Sequence, residues 1–305
     1  MEAQKRKEAI SGLMLGVTAL VWGVAFIFQR TGMEHIGPYA FNFFRCLVCV
    51  IFLMLVSYIS DMRFKRKNIK VGGFKDKAIF KGGILAGVVL FLAMSSQQVG
   101  MVSTTASKAG FITTMYIVIV PLLGVFYGRK VSPKIIVCVA LAAVGLYLLS
   151  IKSGFTISRG DFFVFVSAIF YSLQIVVIDI FAPGVDSIKL SLVEFITAGI
   201  LSLVAMLVLE TVTMESVMLA STAILYTGLM SSGIGFTLQI VAQKNLQPTI
   251  ASLLMSSESV VSLLAGIILL GESLTSREFS GCFILIVAIL LAQIDFPVKK
   301  IKKSH

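Results

Sequence analysis

The chain has 305 residues, 57% of them hydrophobic and only 13% charged, with a mean hydropathy of +0.98. That composition excludes an ordinary soluble domain and leaves an integral membrane protein. The net charge of +11 comes without a folded basic surface or base-reading elements, so nucleic acid is not an expected partner.

An apolar helix needs about 20 residues to cross about 30 Å of hydrocarbon. In chain order, such runs predict ten all-α spans at 11–29, 39–57, 79–99, 104–126, 133–150, 161–181, 188–209, 219–241, 249–270 and 279–296. The first follows Lys5, Arg6 and Lys7 and ends in Gln29-Arg30 without a small-residue cleavage pattern. It reads as a retained span rather than a secretory signal. Most of the 26 Lys and Arg fall at the N-terminus, in the 58–81 region, at Arg129, Lys130 and Lys134, at Lys189, at Lys244 and at 299–303. The positive-inside rule then places both termini in the cytoplasm of an inner or plasma membrane. Attraction to anionic membrane lipid is a secondary effect of the same charges.

Within the spans, residues a helical turn apart collect on single faces. Thr18, Trp22, Ala25 and Gln29 share one in the first span, and Gly87, Phe91, Met94 and Gln98 one in the third. In the fourth, Ser103, Ser107, Gly110, Thr114 and Pro121 fall within a stripe about 60° wide. Ser167, Tyr171 and Gln174 follow in the sixth span, Ser232, Phe236, Gln239 and Gln243 in the eighth, and Thr249, Ser252, Ser256 and Ser259 in the ninth. Small residues on such faces serve close helix packing in membranes. Trp22, Gln98, Tyr171, Gln174 and Gln239 are too large for that, and an unpaired amide in hydrocarbon is costly. The candidate substrate path is therefore Trp22, Gln98, Ser107, Gly110, Thr114, Tyr171, Gln174, Gln239, Ser252 and Ser256. Pro121 removes one backbone hydrogen bond and is the candidate hinge. Lys108 lies off the stripe near the outer end and is expected to snorkel to the surface.

Three charges fall inside spans: Arg45, Glu194 and Glu258. Such residues are functional candidates by default. By helical rise, Arg45 and Glu258 differ by about 6 Å in depth. They either pair and tie spans 2 and 9 together, or Glu258 holds a substrate amine or a proton as coupling ion. On the second alternative, Glu258→Gln is expected to abolish coupling to pH while the protein still folds.

Other chemistry finds little support. His35 and His305 lie in an outer loop and at the terminus, so neither a histidine triad nor a zinc cluster assembles. Cys46 and Cys49 form a C-x-x-C inside a span without a second pair, read as buried thiols with metal or redox use as the alternative. No Walker-type loop is present. No cofactor, no metal and no enzymatic activity are expected.

The chain also contains a similar unit twice. "GRKVSPKIIVCVALAAVGLYLL" from Gly128 can be laid on "GESLTSREFSGCFILIVAILLA" from Gly271. Five spans per unit is an odd number, so the second unit, 156–305, inserts upside down relative to the first, 1–155, a common plan among secondary transporters.

"WGVAF" at 22–26, "KAGFITTMYIVIVPLL" at 108–123, "GD" at 160–161 and "PTIASLLMSSESVVSLLAGIILLGESLT" from Pro248 resemble the EamA-type members of the drug/metabolite transporter superfamily. The chain departs from that pattern at Ser259, where the family often has Pro, and at Arg129, where it often has an acidic residue. The resemblance implies a ten-helix basket of two inverted EamA units, lined by spans 1, 3, 4, 6, 8 and 9. It also implies alternating-access transport of a small metabolite, amino-acid export first. A transporter of another metabolite such as a sugar derivative, or a non-transporting receptor or intramembrane enzyme, is the alternative. A monomer or a homodimer is compatible with the sequence.

Overall fold

Hydropathic runs bounded by capping residues set the elements. The computed structural model describes residues 2–66, 76–126, 128, 131–150, 158–270 and 275–293. Lys67, Lys70, Lys75, Arg129, Lys130, Lys152, the division at 155/156, the end of the tenth span at 294–296, the lysines at 299–303 and His305 lie outside them. All elements among the described residues are helical.

Eight spans are long and apolar enough to cross a membrane. In full they run Glu2–Gly32, Pro38–Arg66, Lys77–Met101, Ala106–Phe126, Arg159–Phe181, Ser187–Leu209, Ser221–Gln243 and Pro248–Leu270. The fifth and tenth, Pro133–Ser150 and Ser276–Gln293, are shorter and pack along each other. They approach so closely that a Cβ on Gly145 would lie 2.8 Å from the Gly281 carbonyl oxygen. One short helix, Met214–Leu219, was not expected; Thr213 caps it by accepting from Ser216 N.

Caps place the span ends. Asp76 caps the third span and Asp186 the seventh, while Ser158 and Asp161 form a reciprocal capping box on the sixth. Pro248 occupies the first turn of the ninth, where a missing N–H costs nothing. Glu210, just past the seventh span, accepts from Tyr39 N at 3.0 Å and Ala40 N at 2.8 Å, joining that end to the start of the second.

Three spans are irregular at mid-membrane. The fourth is Ala106–Thr113 followed by Tyr116–Phe126, and the ninth is Pro248–Met255 followed by Glu258–Leu270. Each therefore breaks after eight residues. At both breaks the hydrogen bonds tighten to i−3, as in Ile117 N to Thr114 O and Val260 N to Ser257 O. Local hydroxyls compete for the carbonyls: Thr114 donates to Phe111 O and Ser256 to Leu253 O, each at 2.7 Å. The eighth span carries a π-helical segment, Thr227–Phe236.

Packing follows a regular scheme. The third span packs on the sixth and seventh, as the eighth packs on the first and second, and the fourth meets the sixth as the ninth meets the first. Exchanging span n with span n+5 thus reproduces the main contacts.

Candidate functional site

The irregular spans converge on one buried cavity. Spans 1, 2, 3, 4, 6, 8 and 9 all contribute to its wall. Its volume, counted as space open to the centre of a water molecule, is about 30 Å³, room for about two waters. This conformation is closed around its centre.

Arg45 is the charged group on one side. It is 2% exposed, and its Nε donates to Ser232 Oγ at 2.8 Å and its Nη2 to Ser231 Oγ at 3.2 Å, with Gln29 Oε1 at 3.4 Å from Nη1. Both serines lie in the π-helical segment, whose widened turn also leaves Ser231 O to accept from Trp22 Nε1 at 3.2 Å. Trp22 packs on Phe236 with ring centroids 4.6 Å apart. A Cβ on Gly235 would meet Trp22 Nε1 at 2.5 Å, so only glycine lets the indole lie against this turn.

Glu258 is the other charged group. It opens the second half of the ninth span, is 2% exposed, and accepts from Tyr116 Oη at 2.9 Å. The expected alternative of an Arg45–Glu258 ion pair is not formed. Each finds neutral partners on its own side first, the serines of the π turn for Arg45 and the phenol of the fourth span for Glu258.

Two chains of polar side chains complete the wall. Tyr171 Oη donates to Gln97 Oε1 at 3.1 Å, and Gln97 Nε2 to Thr113 Oγ1 at 2.9 Å. Gln239 Nε2 donates to Gln174 Oε1 at 3.1 Å, and Gln174 Nε2 to Glu194 Oε1 at 2.9 Å. Cys46 and Cys49 are buried free thiols.

Of the sequence-derived candidates, Trp22, Arg45, Tyr171, Gln174, Gln239 and Glu258 meet at this cavity. Gln98, Ser107, Gly110, Thr114, Ser252 and Ser256 stand away from its wall. Gln98 Nε2 donates to Gln29 O at 3.2 Å, binding the third span to the first. Gly110 packs under Ser262, and Ser252 returns its hydroxyl to Thr249 O. Ser107 is half-buried in the outer part of the fourth span. Pro121 lies inside Tyr116–Phe126, beyond the break, which falls at Thr114 and Met115. Lys108 does not snorkel freely: its Nζ lies 2.5 Å from Asp161 Oδ2, beside Thr104, whose hydroxyl donates to Oδ1 at 2.8 Å.

Gln97, Thr113, Tyr116 and Ser231 were missed, and three of them adjoin a chosen residue. A helical wheel fixes relative angles along a span but needs an external reference to say which face meets the cavity. For Tyr116 the signal was present in "TTMY", a polar aromatic after paired hydroxyls, which the ninth span echoes as "SSES".

Comparison with known proteins bears on this geometry. The pattern of the EamA-like transporter family matches residues 10–151 and again 158–293. An uncharacterized transporter of Archaeoglobus fulgidus is 28% identical over 293 residues, 96% of this chain and 88% of its own. The uncharacterized transporter YoaV of Bacillus subtilis is 22% identical over 298 residues, 95% of this chain and 99% of its own. A protein solved by crystallography superposes with a TM-score of 0.74 at 15% identity, covering 93% of this chain and 98% of that one. At that identity the likeness shows a shared fold.

Proposed function

The chain belongs to the EamA-like transporter family, within the drug/metabolite transporter superfamily, and on that premise we propose that it carries a zwitterionic small metabolite, an amino acid or a close relative, by alternating access. The supporting observation is that Arg45 and Glu258 line one buried cavity while each is bonded only to neutral groups. An arginine held without a carboxylate and a glutamate held without a cation are complementary to the carboxylate and ammonium of an α-amino acid. Trp22, Tyr171 and Phe236 supply apolar wall for its side chain.

Transport requires the cavity to enlarge, since it holds about two waters when closed. The breaks in spans 4 and 9 offer the points of bending, and both lie at its wall through Thr113, Tyr116 and Glu258. Equal eight-residue first halves and contacts that survive exchange of span n with n+5 support two inverted units, 1–155 and 156–305, rocking about it.

The test is counterflow in proteoliposomes loaded with unlabelled amino acids, with trace labelled ones outside. Uptake above protein-free vesicles is expected for at least one. Correctly folded protein without counterflow for any amino acid overturns the substrate reading.

A further inference from the structure

Behind the cavity wall runs a line of three side chains that the proposed charge contacts leave unused. Glu194, in the seventh span, is fully buried and stands behind the wall. Its Oε1 accepts from Gln174 Nε2, and Gln174 Oε1 accepts from Gln239 Nε2. Both glutamines line the cavity. Two acceptors at the ends of the line, Glu194 Oε2 and Gln239 Oε1, are buried without a donor.

The direction of this line follows from Glu194. An ionised carboxylate can only accept, so Gln174 must turn its NH₂ toward Glu194 and its oxygen toward Gln239. Gln239 then gives its NH₂ to Gln174 and keeps its oxygen unspent at the wall. One proton on Glu194 Oε1 reverses every step. The new O–H donates to the Gln174 oxygen, and Gln174 NH₂ donates to the Gln239 oxygen. Gln239 now presents NH₂. Each amide needs only a half-turn about a terminal torsion that is broad and roughly two-fold, so polarity changes while shape does not.

We infer that Glu194, Gln174 and Gln239 form a proton-switched relay that makes the cavity wall an acceptor for a substrate ammonium or N–H when Glu194 is ionised, and a donor that repels it when Glu194 is protonated. This rests on the cavity being the substrate site. The titratable groups within electrostatic reach of Glu194 are Cys46 and Cys49 of the second span. Arg45, on the same span, is turned to Ser231, Ser232 and Gln29. The third span meets Glu194 through Gly87, against its backbone carbonyl, and carries Lys77 and Lys81 exposed at its far end. The sixth brings Gln174, with Tyr171 bonded to Gln97 and Asp179 near its end; the eighth has no ionisable residue from Thr227 to Gln243. On its own span, Lys189 is paired with Asp61.

The test needs no known substrate. The purified full chain in lipid vesicles is compared by infrared difference spectroscopy between alkaline and acidic buffer, as Glu258→Gln and as Glu258→Gln/Glu194→Gln. The first is expected to gain a protonated-carboxyl band together with side-chain amide changes, and the second to lose both. A carboxyl band that survives Glu194→Gln, or one unaccompanied by amide changes, overturns the relay. Counterflow of labelled leucine provides the second arm. Gln239→Met is expected to lower it about tenfold, the loss of one hydrogen bond to a charged group, and Glu194→Gln to make it equal at both pH values. Wild-type protein that passes the infrared test but carries no amino acid upholds the relay and rejects the substrate reading instead.

Discussion

Tyr116 Oη donates to Glu258 Oε1 at 2.9 Å, and each of the two residues opens the second half of a broken span. The bond therefore joins the two points at which the membrane helices are interrupted. It is buried on both sides, so the phenol is the polar partner that keeps the carboxyl from standing alone in the interior.

Tyr116→Phe leaves that carboxyl without its donor. An unmet buried hydrogen-bonding group costs about 1–3 kcal/mol, and a lower unfolding midpoint in detergent is the expected readout. Glu258→Gln costs less, because an amide oxygen still accepts from the phenol. Equal midpoints for Tyr116→Phe and wild type would show that the bond contributes nothing.

Arg45 and Glu258 are expected to divide a zwitterion between them. Arg45→Gln should weaken competition by an amino acid about tenfold or more while sparing its decarboxylated amine, and Glu258→Gln should weaken both, since each loses a charge-assisted bond. Competition counterflow with such a pair of compounds measures this. Identical losses for both ligands in both variants would contradict the assignment.

Gly23 lets the first span lie against the turn that presents Glu258. A Cβ there would stand 2.5 Å from Val261 Cβ and 2.7 Å from the Glu258 carbonyl oxygen. Backbone cannot yield as a flexible side chain can, so Gly23→Ala is expected to cost about 1–3 kcal/mol by overpacking. Gly16→Ala, with nothing within 4 Å, is the control that should leave the midpoint unchanged.

Lys108 and Asp161 tie the fourth span to the sixth, with Lys108 38% exposed. Solvent screening limits such a pair, and a double-mutant cycle with Lys108→Met and Asp161→Asn should give a coupling of about 0.2–1 kcal/mol that shrinks with added salt. A coupling that is insensitive to salt would mean that the capping of the sixth span, not the charge pair, is being measured.

The spans were legible because hydrocarbon demands long apolar runs, and nine of the ten lie where those runs predict, with the tenth running beyond the described residues. What the sequence hides is local competition for hydrogen bonds. Pro121 drew attention as the obvious interruption, yet the helix continues through it and breaks at Thr114 and Met115, where a hydroxyl takes a backbone carbonyl. Gln97 and Gln98 show the other limit. Both are buried amides, and only the neighbours, Thr113 and Tyr171 for one and the Gln29 carbonyl for the other, decide which of them reaches the cavity.

The widened turns at Thr227–Phe236 make the eighth span sensitive to length as well as to identity. A residue removed there would let the helix wind normally, and everything after it would rotate by about 100°. Gln239 and Gln243 would leave their partners together, and Ser231 and Ser232 would no longer face Arg45 in the same register. A single deletion in a stretch of serines and glycines would thus undo both sides of the cavity, although none of the amino acids that line it had been replaced.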